Sequence, residues 1–164
     1  MESVGEKGME IKKIGEKDYK EVLGLIKAEF PYVSFDLEKI RKRIETGKIF
    51  LLKAVEKERL LGFIEFEIFE ESMARINGLT IKEEHRNKGI AKKLLDYSIE
   101  FLKDKGIKRI LLLVKQKNKA AKKVYKDAGF SFIGMYRREL DDAVVEEMEM
   151  DVSGENQEEL NYVG

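Results

Sequence analysis

Apolar residues recur at helical spacing in some stretches of the chain and alternate with polar residues in others. Helical spacing is found in residues 17–30, 36–46, 89–105 and 118–128. Strand patterns are found in residues 9–14, 49–55, 60–69, 73–81, 109–114, 130–140 and 143–152. The resulting order, β-α-α-β-β-β-α-β-α-β-β, predicts an α/β (α+β) domain built around one mixed sheet.

Two of these patterns predict how the strands pair. Residues 49–55, 60–69 and 73–81 follow one another with short turns, which favours an antiparallel meander. Asn77-Gly78 interrupts the third of these strands, and a glycine inside a strand pattern often marks a β-bulge. Residues 110–114 are all apolar, as expected for a parallel strand that is buried on both faces. With the preceding helix, this strand predicts a right-handed βαβ unit.

Composition limits the architecture and the chemistry. The chain has 164 residues, 43% of them hydrophobic, which suits one domain, predicted over residues 9–152 between flexible segments 1–8 and 153–164. It contains no cysteine and one histidine, which excludes disulfides, thiolate chemistry and His-rich metal clusters, and no metal is expected. The 32 basic and 32 acidic residues cancel, which argues against a nucleic-acid partner.

Hydropathy predicts the cellular location of the protein. No apolar run approaches the ~18 residues of a membrane span, and the polar first residues do not resemble a signal peptide. We therefore expect a cytoplasmic protein with no membrane partner. Charged residues make up 39% of the chain, a thermophile-like composition rich in Lys and Glu.

A charged segment between a predicted strand and a predicted helix is the strongest candidate for a binding site. Its sequence is Glu84-His85-Arg86-Asn87-Lys88-Gly89-Ile90-Ala91. The start of a helix leaves backbone N–H groups without intrahelical partners and carries partial positive charge, so it suits a phosphate. Gly89 and Ala91 allow close approach, and Arg86 and Lys88 add positive charge. The alternative interpretation is an ordinary solvated turn, and the segment matches neither of the standard nucleotide-binding loops, G-x-x-x-x-G-K-[ST] and G-x-G-x-x-G.

Two motifs in this order resemble a known family. Residues 86–91 fit the acyl-coenzyme A signature [QR]-x-x-G-x-[GA], and residues 118–130 fit N-x-x-A-x-x-x-Y-x-x-x-G-F. Both are typical of the GNAT N-acetyltransferase superfamily, and the resemblance covers residues 11–152, including the order of elements. It implies the GNAT acyl-CoA N-acyltransferase fold, with acetyl-CoA as co-substrate.

The resemblance assigns the cofactor-binding residues to three places. The loop and helix start would hold the pyrophosphate, the strand before them the pantetheine arm, and one face of the later helix the end of that arm. The pyrophosphate would be held by Arg86, Asn87, Lys88, Gly89, Ile90, Ala91 and Lys92. The pantetheine arm would be held by Leu79, Thr80 and Ile81, and its end would be held by Asn118, Ala121 and Tyr125. The last three lie on a common helix face by their i, i+3, i+7 spacing.

The resemblance also implies catalytic roles. Tyr125 is similar to the family's general acid, because a phenol can protonate the thiolate that leaves. The general base that deprotonates the incoming amine would be Glu65 or Glu67, which point the same way on one strand. The alternative for Tyr125 is a tyrosine of the hydrophobic core. The alternative for Glu65 and Glu67 is that they lie on the solvent face of an antiparallel strand. Leu113 stands where some N-terminal acetyltransferases of the family carry a Glu.

The implied activity is direct transfer of an acetyl group from acetyl-CoA to a primary amine. The amine could belong to a protein, a peptide or a small molecule, and the sequence does not choose among them. The alternative is an inactive GNAT-like module that binds acyl-CoA as a sensor or interaction domain. Dimers are frequent in the superfamily, so a homodimer stays open. We interpret His85 as a packing or surface residue.

Overall fold

The computed structural model of the chain describes residues 3–4, 8–31, 34, 36–139 and 143–154. The strands are β1 Ser3–Val4, β2 Met9–Lys13, β3 Ile49–Glu56, β4 Arg59–Glu70, β5 Met73–Ile81, β6 Arg109–Lys115, β7 Ser131–Met135 and β8 Val145–Asp151. The helices are α1 Tyr19–Glu29, α2 Leu37–Glu45, α3 Ile90–Asp104 and α4 Lys119–Ala128. No helix in these described ranges is long and apolar enough to cross a membrane.

The strands form one sheet in the order β1-β2-β3-β4-β5-β6-β8-β7. β3, β4 and β5 pair antiparallel in sequence, which confirms the predicted meander. β5 and β6 pair parallel across the connection made by α3, which confirms the βαβ unit. The two-residue β1 pairs with β2 and was not predicted. The flexibility expected for residues 1–8 and 153–164 stays a prediction, and residues 1–2, 5–7 and 155–164 lie outside the described residues.

Alternating residues of β4 enter two hydrophobic clusters on opposite faces of the sheet. Phe63 packs in one cluster with α1 and α2, through Val22 and Ile40. Ile64 and Phe66 belong to the larger cluster on the other face, which holds the apolar stripe of α3. The sheet is therefore covered by helices on both sides, and burial of both apolar faces stabilises it.

The sheet splits in its middle, between β5 and β6. Their parallel ladder runs from Met73 and Arg109 to Ile76 and Leu112 and ends there. At that point β5 contains a β-bulge, because Phe66 pairs with Ile76 and the preceding residue of β4, Glu65, pairs with Gly78. The extra residue is Asn77, so the predicted bulge is confirmed. β6 continues alongside β8 as far as Lys115, and β5 and β6 leave a gap between them.

Two sequence expectations about strands are wrong. β7 ends at Met135 and not at residue 140, because its pairing with β8 stops at the Met135–Glu146 pair and residues 136–139 are not in a strand. The junction expected at residues 141–142 lies outside the described residues. β6 is not buried on both faces: Leu113 is half-buried, because its side of the strand lines a cleft beyond the end of the ladder.

Candidate active site

A groove of about 330 Å³ runs from the separated end of β5 to the start of α3. We call it the α3 groove. Every cofactor-binding residue predicted from the sequence lines it except Lys88. These residues are Leu79, Thr80, Ile81, Arg86, Asn87, Gly89, Ile90, Ala91, Lys92, Asn118, Ala121 and Tyr125. His85, interpreted from the sequence as a packing or surface residue, also lines the groove.

The start of α3 forms the charged end of the groove. Gly89 is the N-cap residue and has a φ of 78°, a left-handed conformation that favours glycine. It offers no side chain to cap the helix, and the first turn of α3 contains no acidic residue. A Cβ placed on Gly89 would meet no described atom within 4 Å. The first amides of α3 therefore face open space, an arrangement that suits a phosphate.

Arg86 is held in place at the same end. Its Nε donates to the carbonyl oxygen of Ile81 at 3.0 Å, and its Nη2 donates to Glu29 Oε1 at 2.5 Å. Glu29 is the last residue of α1, so this ion pair joins α1 to the segment between β5 and α3. The guanidinium is thus fixed beside the α3 groove before any ligand arrives.

The separated end of β5 supplies the wall of the groove. Here β5 pairs with β4 on one side only, so its other edge faces the gap. The Thr80 hydroxyl is buried without a hydrogen-bond partner among the described residues. Buried polar groups are costly when they stay unpaired. A ligand chain with amide groups could hydrogen-bond to the open edge of β5 and to the Thr80 hydroxyl. The residues present therefore fit the pantetheine arm of an acyl-CoA.

A second, larger cleft of about 640 Å³ lies on the other side of the gap. We call it the bulge cleft, because Asn77 and Gly78 line it. It shares five residues with the α3 groove, so the two cavities adjoin. The shared residues are Glu29, Leu79, Asn118, Ala121 and Tyr125.

Tyr125 lies where the two cavities meet. It is 7% exposed, and its ring packs edge-on against Phe130 with 6.0 Å between centroids. Burial raises the pKa of its hydroxyl to about 12, so the phenol stays protonated at neutral pH. Asn118 lies at the start of the same helix and caps it, since its Oδ1 accepts from the Ala121 amide at 3.1 Å.

Both candidate bases line the bulge cleft, and each is paired with an arginine. Glu65 Oε2 accepts from Arg43 Nη2 at 3.0 Å, and Glu67 Oε1 accepts from Arg75 Nη2 at 2.5 Å. Burial raises the pKa of Glu65, while the Arg43 charge and a hydrogen bond from the Asn77 side chain oppose that rise. The two side chains are 13% and 21% exposed, so neither lies on a freely solvated strand face.

A comparison with known families identifies the fold. The family model described as the acetyltransferase (GNAT) family matches residues 18–130. The chain belongs to the GNAT family. No curated protein matches it significantly. Among the described residues, no group of three or more His, Cys, Asp or Glu is placed to hold a metal ion.

Solved GNAT structures share this architecture at low sequence identity. The ribosomal-protein-S18-alanine N-acetyltransferase of Escherichia coli superposes with a TM-score of 0.76 at 16% identity, over 90% of this chain and 97% of that one. Ard1 of Thermoplasma volcanium superposes with a TM-score of 0.78 at 20% identity, over 88% of this chain and 97% of that one. Spermidine N-acetyltransferase of Vibrio cholerae, solved with CoA and spermine, superposes with a TM-score of 0.76 at 23% identity, over 88% of this chain and 96% of that one. These likenesses establish the GNAT fold.

Three residues of the site were missed by the sequence analysis. Glu29, Arg43 and Asn77 contact predicted GNAT site residues, but none belongs to either family motif. Asn77 carried a signal, because the bulge was predicted at its position. Glu29 and Arg43 carried none: each meets its partner through the tertiary fold, 57 and 22 residues away in sequence.

Proposed function

We propose that this GNAT-family chain transfers the acetyl group of acetyl-CoA directly to a primary amine. The observation that carries the proposal is that the α3 groove and the bulge cleft adjoin, with Tyr125 in the wall of both. One cavity suits an acyl-CoA, and the other gives an amine access to the same point. Such a layout favours positioning of two substrates in one complex.

The proposed binding roles follow from the walls of the α3 groove. The first amides of α3 and the anchored Arg86 receive the pyrophosphate. The unpaired edge of β5 bonds the pantetheine amides and orients the acetyl carbonyl toward the bulge cleft. Backbone N–H groups at that edge then stabilise the negative charge that develops on the carbonyl oxygen.

The proposed catalytic roles account for both protons of the reaction. Glu65 takes one proton from the acceptor ammonium, which frees the nitrogen lone pair. The C–N bond then forms as the C–S bond breaks, and the sulfur leaves with that bond's electron pair. The Tyr125 hydroxyl gives its proton to the sulfur and takes up the second proton from the nitrogen, while the proton on Glu65 passes to solvent. The products are an N-acetylated amine and free CoA.

The rival is an inactive acyl-CoA-binding module, and Leu113 is the observation that favours it. This apolar residue lines the bulge cleft at the position where some relatives place a Glu. A release of free thiol from acetyl-CoA that depends on an added amine would exclude the rival. The amine panel would contain peptide N-termini, lysine, polyamines and small aminated molecules. Binding of acetyl-CoA with no thiol release over the panel would support the rival.

The first test is calorimetric titration of acetyl-CoA and CoA into the native chain and two variants. Gly89→Asp places a carboxylate in front of the α3 amides. Gly106→Asp is the matched control: its φ is 81° against 78° at Gly89, and a Cβ meets no described atom within 4 Å at either site. The backbone strain is therefore the same, but Gly106 lies beyond the other end of α3.

We expect micromolar binding by the native chain and by Gly106→Asp, and at least about tenfold weaker binding by Gly89→Asp. The reason is that the new carboxylate repels the pyrophosphate and occupies its space. An acidic residue near a helix N-terminus is favourable for folding, so instability does not explain a loss of binding. No binding by the native chain, or equal affinity in both variants, would contradict the assignment.

A further inference from the structure

Arg43 reaches the candidate base from a different layer of the fold. It lies in the last turn of α2, three residues after Ile40 and so on the same helix face. Ile40 is 1% exposed and packs with Leu51 and Phe63 on the sheet. This packing places the Arg43 side chain over β4, where its Nη2 donates to Glu65 Oε2.

The neighbours of Glu65 leave its carboxylate turned toward the bulge cleft. Its partner on β3 is Leu51, and its partner on β5 is Gly78, which has no side chain. The polar groups that hold it are Arg43 and Asn77. The charged groups facing this region from the surrounding elements are Arg43 of α2, Glu67 of β4, Arg75 of β5, Glu29 of α1 and Lys115 of β6. Glu67 is paired with Arg75, Glu29 with Arg86, and Glu65 with Arg43.

We propose that Arg43 is a positioning residue for the acceptor side of the reaction: its guanidinium keeps the Glu65 carboxylate ionised and oriented into the bulge cleft. The proposal rests on the proposed function, because it takes Glu65 as the base that accepts one proton from the acceptor ammonium. Without this cation, burial would favour the protonated carboxyl group, which cannot accept that proton.

A purely structural role would give different results. If the ion pair only fastened α2 to the sheet, its loss would lower stability and reduce the rate equally at every pH. α2 has other attachments, namely the buried Ile40 and an N-cap in which Asp36 Oδ1 accepts from the Lys39 amide at 2.9 Å. We therefore expect Arg43→Met to fold, which allows its effect on proton transfer to be measured.

The test combines a titration with kinetics on four variants. Arg43→Met removes the cation, Arg43→Lys keeps a charge with a different shape, and Glu65→Gln removes the base. Arg41→Met is the matched control, because it removes an arginine from the same helix whose ion pairs go to Glu16 and Glu38. Carboxyl carbon NMR of the full chain measures the pKa of Glu65, and kcat/KM is measured against pH with the most active amine of the panel.

We expect Arg43→Met to raise the pKa of Glu65 by about 1 unit or more, since a nearby opposite charge shifts a carboxyl group by about 1–3 units. The acidic limb of kcat/KM should move upward by the same amount, so that activity on that limb falls about tenfold and recovers at high pH. Arg43→Lys should restore much of the shift, Arg41→Met should match the native chain, and Glu65→Gln should lose the acidic limb with most of the activity.

An unchanged Glu65 pKa in Arg43→Met, or a rate loss that is equal at every pH, would overturn the role of Arg43 while leaving the acetyltransferase proposal standing. Full activity in Glu65→Gln would overturn it as well, because Glu65 would not be the base. A native chain that binds acetyl-CoA but acetylates no amine would overturn the proposed function together with this catalytic use of Arg43. The failures are therefore distinguishable.

Discussion

At the scale of single residues, the Tyr125 hydroxyl has the protonation state that its proposed role needs. Burial raises its pKa to about 12, so it is protonated throughout the working range and can donate to the leaving sulfur. We expect Tyr125→Phe to lower kcat by about 10²-fold or more, as for other lost general acids, with acetyl-CoA affinity nearly unchanged. The phenyl ring keeps the contact with Phe130, so the variant should fold. Steady-state kinetics and titration calorimetry test this, and an unchanged kcat would remove Tyr125 as the acid.

The raised pKa of Tyr125 also gives a prediction for pH dependence. A group that must be protonated to act loses activity as the pH rises through its pKa. Because the pKa of Tyr125 lies at about 12, this residue should cause no alkaline fall in kcat below about pH 11. The kcat profile of the native chain checks the expectation. A fall near pH 10 that is absent from the residual activity of Tyr125→Phe would show that the phenol titrates like an exposed one.

Two glycines give a pair of stability predictions with opposite signs. A Cβ on Gly62 would lie 2.5 Å from the carbonyl oxygen of Thr80 and 2.6 Å from Ile81 Cδ1, so β5 must shift in Gly62→Ala. We expect a loss of about 1–3 kcal/mol, with weaker acetyl-CoA binding because Thr80 and Ile81 line the α3 groove. Gly24 lies inside α1 with no described atom near its Cβ, so Gly24→Ala should gain about 0.5–1 kcal/mol. Urea unfolding measures both, and a change of the same sign in the two variants would contradict the argument.

At the scale of elements, local sequence signals predicted helices α1 to α4, every strand except β1, and most of the α3 groove. A helix start after a glycine and the spacing of Asn118, Ala121 and Tyr125 are properties of short segments, and the structure places these residues together. The end of β7 was not predictable from strand propensity, because pairing with β8 decides it. The contacts of Glu29 and Arg43 depend on how α1 and α2 pack on the sheet, which no local pattern encodes.

The bulge in β5 gives a prediction at the same scale. Asn77 is the one extra residue between the Phe66–Ile76 and Glu65–Gly78 pairs, so its deletion leaves both pairs in register. β5 could then stay beside β6 past Ile76, which would close the gap between them. We expect the deletion variant to unfold at a temperature close to that of the native chain but to bind acetyl-CoA at least about tenfold more weakly. Differential scanning calorimetry and titration test this. Native-like binding by the variant would mean that the bulge is not what holds the gap open.

At the scale of the whole molecule, the sheet lies between two hydrophobic clusters and contributes residues to both. β4 contributes Phe63 to the cluster beneath α1 and α2, and Phe66 to the cluster beneath α3. Ion pairs cross between these halves: Glu29 of α1 holds Arg86 beside α3, and Glu21 holds Lys82 at the end of β5. A ligand in the α3 groove therefore contacts residues fixed by both halves, and we expect the domain to unfold in one cooperative step.

This cooperativity gives the last prediction. A ligand that binds only the folded state at 100 times its Kd stabilises it by about 2.7 kcal/mol, and 1 kcal/mol shifts Tm by about 2–4 °C for a domain of this size. The native chain should therefore show a single thermal transition, and acetyl-CoA should raise its Tm by about 5–10 °C. Gly106→Asp should show a similar rise and Gly89→Asp about half that rise or less at the same concentration, since a tenfold weaker ligand stabilises by only about 1.4 kcal/mol and only Gly89→Asp obstructs the α3 amides. Two transitions, of which acetyl-CoA moves only one, would mean that the halves on either side of the sheet unfold independently and that the ion pairs between them do not couple the groove to α1.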